Sequence, residues 1–210
     1  MRVIVIGATG TIGTAVVSAL ERRRHDVIRA SRRGRVWVDL ADHASIDALF
    51  ESVGNVDAVV CCAASGRLTP LEHPHDDAFT VGLRDKLLGQ VHLVRRALKR
   101  VNDRGSITLT SGAFDHPMPG SSFAALTNSG LEGFVWAAAA EMPRGVRLNV
   151  VSPGWVRETL QAMGEDGSRG IPAVEVARSY EAAVEGTVNG QTIRPDDVAR
   201  QRVDVAQQPG

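Results

Sequence analysis

Short runs rich in apolar residues recur along the chain, and segments of helical periodicity lie between them. Each run predicts a strand buried on both faces, as in a parallel sheet that is covered by helices. The predicted strands cover residues 3–6, 26–30, 35–38, 56–61, 106–110, 146–151 and 190–193. This alternation predicts a single α/β domain with one doubly wound parallel sheet and helices on both faces.

The segments between these runs predict the helices and loops. The link between the second and third strands is too short for a full helix, so we expect the crossover helix to be missing there. We predict loops at residues 65–77 and 112–121 and a flexible segment at residues 157–171. The domain covers residues 1–194, and the polar residues 195–210 are predicted to form a loose tail. The predicted helices cover residues 12–24, 44–53, 79–101, 123–141 and 172–187.

Composition excludes several classes of protein. The formal net charge of zero gives no basic field for nucleic acid or a membrane surface. No apolar run is long enough to span a bilayer, and the early first strand predicts no signal peptide. The adjacent Cys61 and Cys62 form no disulfide framework, which favours the reducing cytoplasm. His73 and His75 have no further ligand nearby, so we expect no metal site.

A glycine-rich loop joins the first strand to its helix. The sequence Gly7–Gly13 has the G-x-x-G-x-x-G spacing, and it lies between a clear strand and a clear helix. Such a loop makes a tight turn, lets backbone amides approach a pyrophosphate and packs the helix against the strand, as in a Rossmann fold. The alternative is a glycine turn without a ligand. The predicted cofactor-binding residues are Gly7, Thr9, Gly10, Thr11, Ile12 and Gly13.

The end of the second strand indicates the kind of dinucleotide. NAD-binding sites carry an acidic residue there, which bonds the ribose 2′-hydroxyl. This chain has Ser31, Arg32 and Arg33 instead. Guanidinium groups bond phosphate oxygens in pairs, so these residues predict binding of the 2′-phosphate of NADP(H). The alternative is that the arginines only form a solvated turn.

Further motifs follow in order, and with them the chain resembles the short-chain dehydrogenase/reductase family over residues 2–193. Asp39–Leu40 resembles the pair that contacts adenine, and Cys61–Ala64 resembles the segment that follows the fourth strand. Thr110–Gly112 resembles the strand end that carries the catalytic serine. Asn149–Gly154 resembles the segment that passes the nicotinamide. The resemblance implies that these residues also bind the cofactor: Asp39, Leu40, Cys62, Ala63, Ala64, Asn128, Pro153, Gly154 and Val156.

The catalytic motif of the family departs from its usual form here. The family reduces carbonyls or oxidises alcohols with a tyrosine as proton donor and a lysine four residues later. Aligning Leu131–Phe134 with the family helix places Ala124 at the tyrosine and Asn128 at the lysine. Gly82 stands at the supporting asparagine, and only Ser111 is kept. The chain resembles a short subgroup that lacks these residues.

Two other side chains are candidates for the missing groups. Lys86 lies one helical turn after Gly82 and so can point into the site, or it is a surface lysine. His116 follows Ser111 in the next loop and can exchange a proton near neutral pH, or it is an exposed loop histidine. The only tyrosine, Tyr180, lies on the apolar face of its helix and is predicted to belong to the core.

Two functions are therefore compatible with the sequence. The first is an NADP(H)-dependent oxidoreductase with a rearranged site, which uses Ser111 with Lys86 or His116 on an unknown carbonyl or alcohol substrate. The second is a non-catalytic NADP(H)-binding sensor or regulatory protein. The resemblance also implies a homodimer or homotetramer, paired through the helices at residues 79–101 and 123–141.

Overall fold

A computed structural model of the protein describes residues 1–63, 68–73, 75 and 77–195. These residues form one seven-stranded sheet with the order β3-β2-β1-β4-β5-β6-β7, in which every neighbouring pair is parallel. The doubly wound sheet predicted from the apolar runs is confirmed. The strands are β1 (Arg2–Ile6), β2 (Asp26–Ser31), β3 (Val36–Trp37), β4 (Val56–Cys61), β5 (Val101–Thr110), β6 (Arg147–Val151) and β7 (Thr192–Ile193).

Helices cover both faces of this sheet. A π-helical segment, Gly82–Leu88, continues α3 and leads directly into α4. The α-helices are α1 (Thr11–Arg22), α2 (His43–Val53), α3 (Asp77–Val81), α4 (Gly89–Ala97), α5 (Ser122–Ala138), α6 (Arg157–Ala162) and α7 (Ala173–Glu185). None of the described helices is long and apolar enough to cross a membrane.

The core consists of two apolar layers, one on each face of the sheet. Side chains alternate along a strand, so β1 supplies both layers. Val3 and Val5 pack on the face covered by α1 and α7, and Ile4 and Ile6 on the face covered by α2, α4 and α5. Burial of β1 on both faces explains its continuous apolar sequence and fixes the position of the glycine loop that follows it.

Several predicted boundaries need correction. The helix predicted for residues 79–101 is divided by the π-helical segment and ends at Ala97. Strand β5 begins at Val101 rather than at Ser106, because Val101 pairs with Val56 before a register shift. The segment 157–171 is also not uniformly irregular, since it contains α6 and a 3₁₀ turn at Gly167–Arg169. Each of these pieces is short or polar, so its periodicity in the sequence is weak.

Other predictions agree with the described residues. Residues 32–35 form a turn, so no helix lies between β2 and β3. Within the predicted loop 65–77, residues 68–73 and 75 are irregular, Asp77 already belongs to α3, and residues 65–67, 74 and 76 lie outside the described residues. The predicted tail also falls almost wholly outside them, since description ends at Pro195.

Candidate functional site

The glycine loop is held tightly against the ends of neighbouring strands. A Cβ atom on Gly7 would lie 2.7 Å from the backbone nitrogen of Ala63, and one on Gly13 would lie 2.0 Å from the carbonyl oxygen of Gly7. The Gly7 amide donates to the Ala30 carbonyl at 2.9 Å. The loop therefore has one conformation, which only glycine permits at residues 7 and 13.

The start of α1 is suited to an anion. Gly10 caps the helix without a side chain, and the first turn contains no acidic residue. The first amides of a helix have no partner within it, and the helix dipole adds partial positive charge there. These amides can therefore bind a pyrophosphate in the way proposed from the sequence.

A cleft of about 330 Å³ opens beside this loop, where β1, β2 and β4 end. It lies next to the point where the strand order reverses, between β1 and β4, which is where open α/β sheets bind ligands. Most of the predicted cofactor residues line it. The lining residues are Ile6, Gly7, Thr9, Gly10, Ser31, Arg32, Arg33, Val38, Asp39, Leu40, Cys62, Ala63, Asp85 and Lys86.

The arginine turn forms one end of this cleft. The Ser31 side chain is buried and its hydroxyl accepts a hydrogen bond from the Arg33 amide at 3.3 Å. Arg32 and Arg33 are exposed, and within the described residues neither forms a salt bridge. The two guanidinium groups are thus available to an anionic ligand.

Lys86 lies at the other end of the cleft, on the π-helical segment. Its Nζ atom donates to the side-chain oxygen of Asn128 at 2.7 Å and to the carbonyl oxygen of Ser111 at 2.9 Å. An ammonium group has three N–H donors, so one is left over from these two bonds. π-Helical turns are rare and often found at functional sites, and this one aims Lys86 inward.

The Lys86 side chain also has an altered acidity. Burial lowers its pKa to about 8, although the neighbouring Glu132 carboxylate acts in the opposite direction. A lysine with a pKa in this range exchanges protons near neutral pH far more readily than an exposed one. This combination of burial and a specific charge partner in a cleft is typical of a functional residue.

A carboxylate missed by the sequence analysis joins the site. Oε1 of Glu132, on α5, accepts hydrogen bonds from the hydroxyls of Ser111 and Ser152, each at 2.8 Å. Ser111 and Ser152 directly follow two adjacent strands, β5 and β6, and both are buried. The available signal was that Glu132 is the only charged residue within α5, a helix of otherwise apolar and small polar residues.

Asn128 does not line the cleft, but it accepts a hydrogen bond from Lys86, which does. It is 7% exposed, and its side-chain oxygen faces the lysine. Lys86 Nζ thus lies next to Asn128, which the sequence analysis aligns with the family lysine, and that alignment stays a prediction. The correspondence of Ala124 with the tyrosine stays a prediction.

Tyr180 cannot supply the missing hydroxyl. It is fully buried between α7 and the sheet, and its hydroxyl is hydrogen-bonded to Thr110 Oγ1 at 2.6 Å. Burial raises its pKa well above that of a free tyrosine. Burial likewise raises the pKa of the Cys62 thiol, which therefore packs at the cleft as a neutral group.

A second cleft of about 340 Å³ lies on the other side of Ser152. It connects to the first site through the hydrogen bond of Ser152 to Glu132. Gly154, which the resemblance implies binds the cofactor, lines this second cleft and not the first, and its cofactor role stays a prediction. Its lining residues are Ala113, Phe114, Asp115, Ser152, Gly154, Trp155, Arg169, Ile171, Arg194 and Pro195.

The remaining predicted site residues lie elsewhere. His116 is exposed and is absent from the lining of both clefts, so the geometry does not support its catalytic role, which stays a prediction.

The Pro153 carbonyl accepts from the Ala113 amide, and Val156 is buried in the core. Thr11 and Ile12 lie in the first turn of α1, and Ala64 lies outside the described residues.

The described residues contain no group of three or more side chains that could hold a metal ion. The His73 ring bonds backbone atoms of His75, while the His73 amide donates to the Pro70 carbonyl and the His75 carbonyl accepts from the Ala78 amide. The site thus combines a hydrogen-bonded group of Lys86, Ser111, Glu132 and Ser152 with a neighbouring cleft that suits a phosphate-bearing ligand.

Comparison with known proteins identifies the class. The family model described as Enoyl-(Acyl carrier protein) reductase matches residues 7–203. The chain therefore belongs to the short-chain dehydrogenase/reductase family, whose members use nicotinamide cofactors.

Solved structures share the fold over almost all of the chain. The protein lin1944 from Listeria innocua is 37% identical with a TM-score of 0.87, and the match covers 92% of this chain and 98% of that one. A small-chain dehydrogenase in complex with NADPH is 23% identical with a TM-score of 0.80, covering 92% and 95%. At that identity the second likeness shows the fold alone.

Curated relatives are less similar in sequence than lin1944. L-xylulose reductase of Mesocricetus auratus is 28% identical over 171 residues, which are 72% of this chain and 70% of that protein. Glucose and ribitol dehydrogenase homolog 2 of Arabidopsis thaliana is 28% identical over 149 residues, or 64% of this chain. The chain spans about half the length of the latter, 52%.

Proposed function

We propose that the protein is an NADP(H)-dependent oxidoreductase that interconverts a carbonyl compound and an alcohol with a rearranged site. One observation carries the proposal. Lys86 lines the cofactor cleft while its ammonium group bonds Asn128 and Ser111, the residues that stand at the family lysine and serine. A positive charge thus lies where the family chemistry needs one, although it comes from another helix.

The residues fit the cofactor. Glycine at residues 7 and 13 lets the loop pack closely against the segment after β4 and against α1, the start of α1 offers amides without helical partners, and Arg32 and Arg33 are free to bind the 2′-phosphate. When bound, NADP(H) supplies or accepts the hydride.

The chain's own residues would act on the oxygen of the substrate. Negative charge develops on this oxygen as a carbonyl is reduced, and the buried Lys86 ammonium stabilises it in a site of low dielectric constant. The same ammonium can bond the ribose hydroxyls of the cofactor with its remaining N–H. Lys86 bonds the backbone carbonyl of Ser111, and the hydroxyl of the same residue would orient the substrate oxygen.

The second cleft is the proposed substrate site, because it adjoins Ser152 and thereby the Ser111 network. Its lining combines aromatic Phe114 and Trp155 with the charges of Asp115, Arg169 and Arg194. A screen for turnover should therefore include neutral and carboxylate-bearing aldehydes and ketones, with NADPH consumption followed by fluorescence.

The alternative is a binding-only sensor or regulatory protein. Replacement of the family residues by Ala124, Asn128 and Gly82 favours it. The partly buried Lys86 ammonium and Glu132 carboxylate both bond Ser111 and favour the enzyme instead, because a cation and a carboxylate that converge on one serine beside a cleft are typical of an active site. A screen without turnover in a protein that binds NADPH would support the alternative.

Cofactor choice gives the first prediction. We expect NADPH to bind more tightly than NADH, and Arg32→Ala to weaken NADPH binding about 10–150-fold while leaving NADH binding unchanged, because charged hydrogen bonds contribute about 1.5–3 kcal/mol. Fluorescence titration of both cofactors measures this. Arg35→Ala is the matched control, since Arg35 is an exposed arginine of the same turn outside the cleft. Equal titration curves for both cofactors in the parent protein would contradict the proposal.

We also propose a homodimer or homotetramer formed through the helices on either side of β5. Large apolar side chains are exposed there, with Trp136 at 76% and Leu126 at 55% on α5. Light scattering at micromolar concentration should give at least twice the monomer mass, and Trp136→Glu should lower it because a buried charge destabilises an interface. Trp37→Glu, at an exposed tryptophan on β3, should leave the mass unchanged. A monomer mass for the parent protein would overturn this proposal.

A further inference from the structure

We infer that Glu132 holds the proton of the reaction and exchanges it with the substrate through Ser111. This inference rests on the proposed oxidoreductase function. It assigns a role to a carboxylate that the family motif does not include, and it supplies the acid–base group that Ala124 cannot provide.

The direction of the hydrogen bonds is the first argument. A serine hydroxyl has one proton, and the Ser111 hydroxyl donates it to Oε1 of Glu132 at 2.8 Å. Because the only proton of the hydroxyl is used in the bond to Glu132, Ser111 Oγ can only accept a hydrogen bond from a third group. An alcohol can donate such a bond and a carbonyl cannot, so this state of the site is matched to the alcohol.

The proton transfer then follows in a balanced form. In oxidation, the O–H bond of the alcohol breaks and its proton moves to Ser111 Oγ, while the original Ser111 proton moves to Glu132 Oε1. The hydrogen on that carbon would leave with the C–H electron pair as hydride, which bound NADP⁺ would accept, and the C=O bond would form. In reduction the protonated Glu132 returns the proton by the same two bonds.

The surroundings of Glu132 support this exchange. Ser152 donates a second hydrogen bond to the same oxygen at 2.8 Å, which stabilises the carboxylate, and Ser152 lines the second cleft. The carboxylate also lies within electrostatic range of the Lys86 ammonium, as its effect on the Lys86 pKa shows. The cation is thus placed to stabilise charge on the substrate oxygen while the serine–carboxylate pair moves the proton.

The first test measures the pair without turnover. In protein labelled with ¹³C at glutamate side-chain carboxyls, the Glu132 signal is identified by its loss in Glu132→Gln. It should shift in Ser111→Ala, which removes a donor to the carboxylate. It should stay in place in Ser168→Ala, because the Ser168 hydroxyl bonds Asp166 instead. An unmoved Glu132 signal in Ser111→Ala would overturn the inference.

The second test measures the reaction. Glu132→Gln keeps the side-chain length but cannot take up a proton, so single-turnover hydride transfer should fall about 10²–10⁴-fold with NADPH affinity and melting temperature unchanged. Glu132→Asp should recover part of the rate. The double variant Ser111→Ala with Glu132→Gln should transfer hydride only slightly more slowly than either single variant, because both residues act in one relay.

The outcomes separate the two proposals. Turnover in the parent that survives in Glu132→Gln overturns the relay and leaves the oxidoreductase function standing. Absence of turnover in a parent protein that binds NADPH overturns the oxidoreductase function and the relay with it.

Discussion

Lys86→Met should lower turnover by about two to four decades and weaken NADPH binding about 10-fold or more. Methionine keeps much of the length of the side chain but removes the charge that faces Ser111 and Asn128. Both quantities fall together because one ammonium group serves the ribose and the substrate oxygen. Fluorescence titration and NADPH consumption measure the two effects on the same samples.

The chain offers a matched control for this variant. Lys99 is the only other lysine and is exposed after α4, so Lys99→Met should change neither quantity. The pH dependence provides a further check. The ammonium form is needed and burial lowers the Lys86 pKa to about 8, so the rate of reduction should be highest below pH 8 and fall as the pH rises through it. Full activity in Lys86→Met would remove Lys86 from the mechanism.

Gly13→Ala should eliminate NADPH binding at micromolar concentration and lower the melting temperature. The added Cβ would lie 2.0 Å from the Gly7 carbonyl oxygen, so α1 and the glycine loop must separate by roughly 1 Å, and overpacking of this kind costs about 1–3 kcal/mol or more. The separation displaces the amides that face the pyrophosphate. Differential scanning fluorimetry with and without NADPH measures both effects.

Gly133→Ala is the control for that substitution. Gly133 lies on the exposed side of α5, and a Cβ there meets nothing within 4 Å. Alanine is the better helix former by about 1 kcal/mol, so this variant should melt at the same or a higher temperature and bind NADPH as the parent does. Normal NADPH binding by Gly13→Ala would show that the loop is not the cofactor site.

The fold and the cofactor cleft could be predicted because their signals are local. β1 is apolar at four successive positions, Val3–Ile6, since both of its faces are buried, and the spacing of Gly7, Gly10 and Gly13 follows directly from backbone geometry. The polar start of β5 and the short α6 carry no such periodicity. Their positions depend on pairing and packing with distant parts of the chain.

The acid–base part of the site depends on three-dimensional placement. The spacing from Gly82 indicated that Lys86 could face inward, but the π-helical segment that aims it leaves no mark in the sequence pattern. Glu132 bonds Ser111 and Ser152 because α5 packs beside the ends of β5 and β6 with the Glu132 side chain facing the two serines. His116 follows Ser111 closely in the sequence, yet the loop leaves it exposed outside both clefts.

A crystal structure of the protein with NADPH tests the central claim most directly. The account predicts the 2′-phosphate beside Arg32 and Arg33, the pyrophosphate at the start of α1, and the nicotinamide ribose within hydrogen-bonding distance of Lys86. The nicotinamide ring should lie next to Ser111. A cofactor bound with its ribose out of reach of Lys86, or crystals soaked in millimolar NADPH that show none in this cleft, would contradict it.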